Sequence, residues 1–381
     1  MKNNLSKIIL WAGSLKQALA LVIILIIISF LAIMFPQHSE FSAGEITTWS
    51  VQNPGFSKFA EFFGLFSVFR SVPFLIIIFL FALNIIICTI LHLVKLKNRF
   101  EHNNKIRLTG FLFLHVALLG ILAGGFITTS SGMDGSIILT EGQVFRERAD
   151  NYIKLSKGPM HKTGHKNFMV RLNKLDIVYE RNVIPVKVTT NLEFRSENIT
   201  KENVEISINH PYEFRGLEFT QDEIGFSPRI SINDPEKGIV LLHSFIALKT
   251  FREGDNWQYT DFLPLSFLQN RIFLTLYPDH KREGNKITKT GELPKSPLLL
   301  FEEKNENGEV LSKGIIPFKG SAKIGKYLFE FHELRYWASF RVMEDPGYLI
   351  FVISILLALF SLILRYSEDL KKLFIKTGRG E

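Results

Sequence analysis

The chain has 381 residues, a formal net charge of +8 and a single cysteine. One cysteine excludes both an intrachain disulfide and dithiol exchange within the chain. The basicity is concentrated in residues 1–16, 95–107 and 365–381, which carry thirteen Lys and Arg against four acids, so it marks membrane edges and not a nucleic-acid surface.

Four apolar runs contain no Lys, Arg, Asp or Glu: residues 17–35 (QALALVIILIIISFLAIMF), 72–94 (VPFLIIIFLFALNIIICTILHLV), 108–128 (LTGFLFLHVALLGILAGGFIT) and 347–364 (GYLIFVISILLALFSLIL). Each is long enough to cross a hydrocarbon core of roughly 30 Å as a helix. They predict an integral membrane protein with four transmembrane helices, three ahead of a large domain and one behind it. Residues 1–16 form a short basic amino terminus. The first span outlasts the ~7–15-residue core of a signal peptide and reads as an uncleaved anchor. Residues 36–71 contain FSKFAEFFGLFSVFR, in which Phe56, Phe59, Phe63 and Phe66 recur at helical spacing, predicting an amphipathic helix that lies in the bilayer interface or packs under the large domain. The second span holds Cys88, read as a small apolar residue. Residues 95–107 make a basic loop between the second and third spans.

Residues 129–346 alternate as strands do. Val186, Val188, Thr190, Leu192 and Phe194 share one face, as do Val204, Ile206 and Ile208, and again Ile272, Leu274 and Leu276. Turn signals at Asn209-His210-Pro211, Asp234-Pro235 and Asn305–Gly308 separate them. A mainly antiparallel β domain follows, sandwich-like or a partly open barrel. Residues 347–364 return through the membrane to a basic tail, residues 365–381. Positive charge on the inner side sets both termini and residues 95–107 in the cytoplasm, and the β domain on the extracytoplasmic face.

Hydrolytic and phosphate-binding signatures are missing from the sequence, which has no GxSxG, no HExxH, no glycine-rich phosphate loop and no CxxC. No catalytic residue is assigned. His161 and His165 stand four apart, but Gly158-Pro159 and Gly164 argue against a helix there, and the pair reads as a solvent-exposed loop. His115 is different. It lies about 10 Å into the third span at ~1.5 Å per residue, where a titratable side chain is a functional candidate by default. Gly120 and Gly124 fall nearly opposite it and form a small-residue face suited to close helix contact. A proton relay needs further titratable groups, and His92 is the only other one in the spans. Ligation of metal or haem iron needs one imidazole and a partner.

The order of several segments along the chain resembles the ResB (CcsB) family of cytochrome c biogenesis proteins of system II. These are Pro36-Gln37, Leu65–Phe69 with Ser71, Asn84–Cys88, His115 with Gly120, Glu141-Gly142, INHPYEFRGLEFTQDEIG at 208–225, and Asp345-Pro346-Gly347. The resemblance implies a subunit of a cytochrome c synthase, a haem lyase complex in which it does not act alone. It implies a ResC/CcsA-type membrane partner, haem b bound transiently and shared with that partner, and apocytochrome c CxxCH motifs as acceptors. The bacterial cytoplasmic membrane is the implied location. The family's haem-iron ligand in the matching span falls on His115. The chain has no tryptophan-rich haem-binding segment of the partner type, which implies that the second axial ligand lies on another polypeptide. The reading from a different class is a membrane-anchored sensor or scaffold whose β domain binds an outside ligand. A small-solute transporter is disfavoured by the absence of an internal repeat.

Overall fold

The computed structural model describes residues 2–377 apart from 42, 97–104, 163, 165, 181–183, 197–200, 254–255, 264, 266–269, 284–285 and 306–307. The helices are α1 (Lys2–Ala12), α2 (Leu15–Met34), α3 (Ala43–Gln52), α4 (Pro54–Phe63), α5 (Val72–Leu96), α6 (Lys105–Ser131) and α7 (Tyr348–Thr377). Four of them are long and apolar enough to cross a membrane: Leu15–Met34, Val72–Val94, Ile106–Ser131 and Tyr348–Ser367. Their outer faces stay uncovered within the chain, as a lipid-facing surface requires.

The chain divides into two compact units. The first comprises the residues up to Gly135, Lys154–Gly164, and those from Met343 on. Here α2 starts at Ser14, whose hydroxyl accepts from Gln17 N–H at 3.3 Å. Gly13, just before it, lies so close to α5 that a Cβ would stand 2.6 Å from Ile87 Cγ2. Helix α6 packs on α7 through glycines. A Cβ at Gly120 would meet Ser354 Oγ at 2.1 Å, and one at Gly124 would meet Phe351 N at 2.9 Å. The small-residue face predicted for α6 is therefore a close helix contact, against the Ser354 side chain at Gly120 and against backbone at Gly124.

One expectation is corrected. The phenylalanine face does not run through to Phe66, because Gly64 takes φ +67° and caps α4 in the left-handed region. A 3-10 turn, Leu65–Arg70, follows. Phe56, Phe59 and Phe63 stay exposed on α4, whereas Phe66 is buried against Trp49 (ring centroids 5.7 Å apart).

The strands are β1 (Met133–Thr140), β2 (Val144–Arg146), β3 (Lys154–Lys157), β4 (Phe168–Glu180), β5 (Ile184–Ser196) and β6 (Glu202–Ser207). Next come β7 (Tyr212–Phe214), β8 (Leu217–Asp234), β9 (Ile239–Phe245), β10 (Lys249–Glu253), β11 (Asn256–Leu263) and β12 (Arg271–Tyr277). The last are β13 (Asp279–Glu283), β14 (Lys286–Gly291), β15 (Leu298–Lys304), β16 (Val310–Pro317), β17 (Ser321–Ile324) and β18 (Tyr327–Glu344). Apart from β3, which belongs to the first unit, they build separate sheets in the second (Ser136–Ile153 and His165–Val342). One runs β1-β18-β8-β7, with β17 beside β18 and β9 beside β8; another runs β2-β4-β5-β6; a third runs β10-β11-β12-β15-β16; β13 and β14 form a ribbon. The registers of the second and third sheets are antiparallel throughout.

The predicted alternation is visible in burial. Val188, Thr190, Leu192 and Phe194 point inward on β5, and Ile272, Leu274 and Leu276 do so on β12. Val186 and Ile208, at the ends of their patterns, are more than half exposed (56% and 54%). Phe194 is fully buried among Phe214 and Phe219, with ring centroids 4.8 and 5.1 Å away. Burying one such ring contributes about 2–3 kcal/mol.

Candidate intramembrane site

His115 sits half-buried on α6, and its geometry is set by its own helix. Its Nδ1 lies 2.9 Å from the Phe111 carbonyl oxygen, which can only accept, so Nδ1 carries the proton and donates. In neutral imidazole this leaves Nε2 with its lone pair free, and Nε2 has no hydrogen bond among the described residues. A second hydrogen bond of this kind orients and strengthens a metal-ligating histidine.

Three helices contribute around it. Phe111 lies between two imidazoles, with ring centroids 4.0 Å from His115 and 4.3 Å from His92 on α5. The Arg365 guanidinium of α7 stands 5.6 Å from the centre of the Phe111 ring. The sequence reading picked out His115 and His92. Phe111 and Arg365 escaped it. Phe111 is one of many apolar residues in the span, and Arg365 was counted only as the first charge of the basic tail. The i, i+4 spacing of Phe111 and His115 was the available signal.

Most of the other segments singled out in the sequence act as joints. The Gln37 side-chain amide donates to Phe35 O (2.9 Å) and Leu65 O (2.8 Å) and accepts from Val68 N–H (3.1 Å), tying the end of α2 to the 3-10 turn. The Ser71 hydroxyl donates to Val68 O at 2.7 Å and accepts from Phe74 N–H at 3.4 Å, capping α5. Arg70 donates to Gly132 O at 2.6 Å. Buried Asn84 donates to Ala12 O and to Ser14 O (3.2 Å), closing the α1–α2 joint. Asp345 accepts from Thr128 Oγ1 and, at 3.0 Å, from Gly347 N–H, which fixes the start of α7 against α6. In the β unit, the Glu141 carboxylate accepts from Leu175 N–H (2.9 Å) and Tyr336 N–H (3.3 Å), joining β4 to β18. Gly142 follows at φ +87°, where a Cβ would stand 2.7 Å from Arg335 Nη1.

His161 is not on an exposed loop, and that expectation is corrected. Its side chain is only 7% exposed, with Nε2 3.2 Å from Glu344 Oε2. The partner is 183 residues away, beyond the reach of local pattern. His165 lies outside the described residues. Cys88 is a free, half-buried thiol. Among the described residues no group of three or more His, Cys, Asp or Glu is arranged to hold a metal ion. Any ion bound at His115 therefore needs further ligands from elsewhere.

Four apolar spans, three before and one after a large antiparallel β unit, define a multi-pass membrane protein with an inserted β domain. The spans meet tightly at glycines, and the one half-buried imidazole in α6 is held with a free nitrogen. The chain belongs to the ResB-like family, which matches it over residues 15–103 and 102–380. Membership places it in cytochrome c biogenesis. No curated protein matches the chain.

Proposed function

We propose that this protein is the ResB-type subunit of a system II cytochrome c synthase, which handles haem across the membrane and helps present it to apocytochrome c. The observation that carries this reading is the state of His115. Its Nδ1–H is committed to Phe111 O and its Nε2 is free, in a span that otherwise has no polar reason to hold an imidazole. Haem is the substrate here. His115 ligates its iron through Nε2, and the second axial ligand comes from a ResC/CcsA-type partner.

The neighbouring groups fit an amphipathic, dianionic macrocycle. Phe111 and the lipid-facing residues beside it offer apolar surface, while Arg365 supplies a positive charge that pairs with a carboxylate at the same depth. A proton relay fits less well, because Nδ1 is bonded to a backbone carbonyl and not to a titratable group. In this reading the protein lies in the bacterial cytoplasmic membrane, with the basic edges inside and the β domain outside. Haem entering near the cytoplasmic end of α6 then leaves toward the side where CxxCH thiols await it.

The test is His115→Gly co-expressed with a ResC-type partner. The substitution opens a cavity the size of an imidazole on the face of α6 away from the Gly120 and Gly124 contact with α7. The complex should accumulate normally, lose its co-purifying Soret absorbance and stop maturing cytochrome c. Free imidazole should restore part of both activities. Full haem content in a normally accumulating mutant refutes the assignment.

A further inference from the structure

The β unit encloses a cavity of about 360 Å³ that the haem reading leaves unused. It opens along β8, in the stretch between Phe219, where pairing with β7 ends, and Arg229, where pairing with β9 begins. The volume falls within the range of small-molecule sites.

Its walls are apolar and aromatic: Ile177, Val188 and Phe226 face Tyr179, Trp257 and Tyr336. Of the three phenols, Tyr259 donates to Glu292 Oε2 at 2.7 Å, and Tyr179 and Tyr336 lie within electrostatic reach of each other. Burial pushes Tyr336 up to about 12 and the other two further in the same direction, so all three are neutral.

Two polar atoms in this wall lack any partner among the described residues. Gln221 is 5% exposed; its Oε1 accepts from Thr190 Oγ1 at 2.8 Å, but its Nε2 donates to nothing. Thr250 Oγ1 is likewise buried and unbonded, beside Gly225, where a Cβ would stand 2.3 Å from it. A buried donor left unmatched is disfavoured, and both atoms belong to residues that line the same cavity.

The wall also excludes ligands. Among the described residues no Lys, Arg or His lines it, while Asp222 and Glu223 do, and Lys289, which stands over the Tyr259 ring, is paired with Glu292 at 2.6 Å, so an anion finds no uncommitted counter-charge there. Haem is disfavoured on the same ground, since among the described residues of the wall its propionates find no cation and its iron no His, Met or Cys. We propose that this cavity is a binding site for an uncharged, flat, mainly apolar small molecule whose carbonyl oxygen accepts from Gln221 Nε2 and Thr250 Oγ1. The site is independent of His115.

The test uses the full chain in nanodiscs and menadione, an uncharged bicyclic dicarbonyl, as the probe. Calorimetric titration, with empty nanodiscs subtracted, should show one saturable site. The anion 1-naphthalenesulfonate, of similar size, should bind at least about tenfold more weakly. Gln221→Leu, which removes the donor, should weaken menadione by about tenfold. Ile177→Phe, which fills the cavity, should abolish binding while the melting midpoint is kept; Val188→Phe serves if that variant does not fold. No saturable heat above empty nanodiscs, equal binding of the sulfonate, or an unchanged affinity in Gln221→Leu overturns the proposal.

Discussion

Replacing Gln37 tests whether one amide holds the extramembrane end of α2 to the 3-10 turn. Its two donated bonds end on the carbonyls of Phe35 and Leu65, and its accepted bond comes from Val68; all three residues are buried. Gln37→Leu keeps the bulk and removes all three bonds. At about 1 kcal/mol for each, and with the abandoned backbone groups poorly placed to find water, the loss is about 3 kcal/mol. For a unit of this size that corresponds to a fall of about 6–12 °C in melting midpoint. Gln37→Glu is the sharper probe. It preserves the acceptor for Val68 N–H, but it turns a carboxylate toward two carbonyl oxygens that need donors. At pH 7 it should therefore be worse than the leucine, and it should recover at acid pH as the carboxyl gains a proton to donate. Both can be read from thermal melts of the detergent-solubilised protein and from protease cleavage around Gly64. A glutamate variant as stable as wild type at pH 7 refutes the clamp.

Glu193 gives a pH-dependent case. Lys201 (2.9 Å) and Arg195 hold its carboxyl below the ordinary value of 4.5, so the stabilisation is present above that pH and fades as the pH falls further. Glu193→Gln should lower the melting midpoint at pH 7 and converge with wild type in strong acid. A reporter fused after Glu381 should read as cytoplasmic, and one inserted at Asn307, which lies outside the described residues, should read as extracytoplasmic; inverted signals would place His115 in the wrong leaflet. Cys88→Ala should leave cytochrome c assembly largely intact, measured as haem-stained cytochrome, because the thiol has no second cysteine to react with in this chain.

How much of this was legible follows from the range of each interaction. The four spans and the inward faces of β5 and β12 are encoded by neighbours a few residues apart, so the sequence displays them. His115 is legible because one imidazole among apolar residues stands out. Gly64 stood in plain view between Phe63 and Leu65, yet helical spacing alone carried the pattern across it to Phe66, and the left-handed cap broke that pattern. The burial of His161 and the placement of Arg365 beside Phe111 depend on segments far apart in the chain, which no local pattern encodes. The β-unit cavity needs residues from β4, β5, β8, β10, β11 and β18 at once.

The polar residues in the segments that carry the family resemblance are bonded in two different ways. Gln37, Ser71, Asn84, Glu141 and Asp345 each spend their polar atoms on backbone groups or on a hydroxyl across a joint. Such residues fix architecture, and losing one lowers the amount of folded protein while each surviving molecule keeps its binding properties. His115 spends one nitrogen on its own helix and leaves the other free. That is a poor use of an imidazole for stability, since the bond to Phe111 O joins nothing that α6 does not already join. It is a good use for ligation, because the bonded nitrogen fixes the ring and the tautomer for the free one. Protein level and haem per molecule therefore test the proposed division: joint variants should move the first, and His115 variants, if the proposed ligation holds, the second.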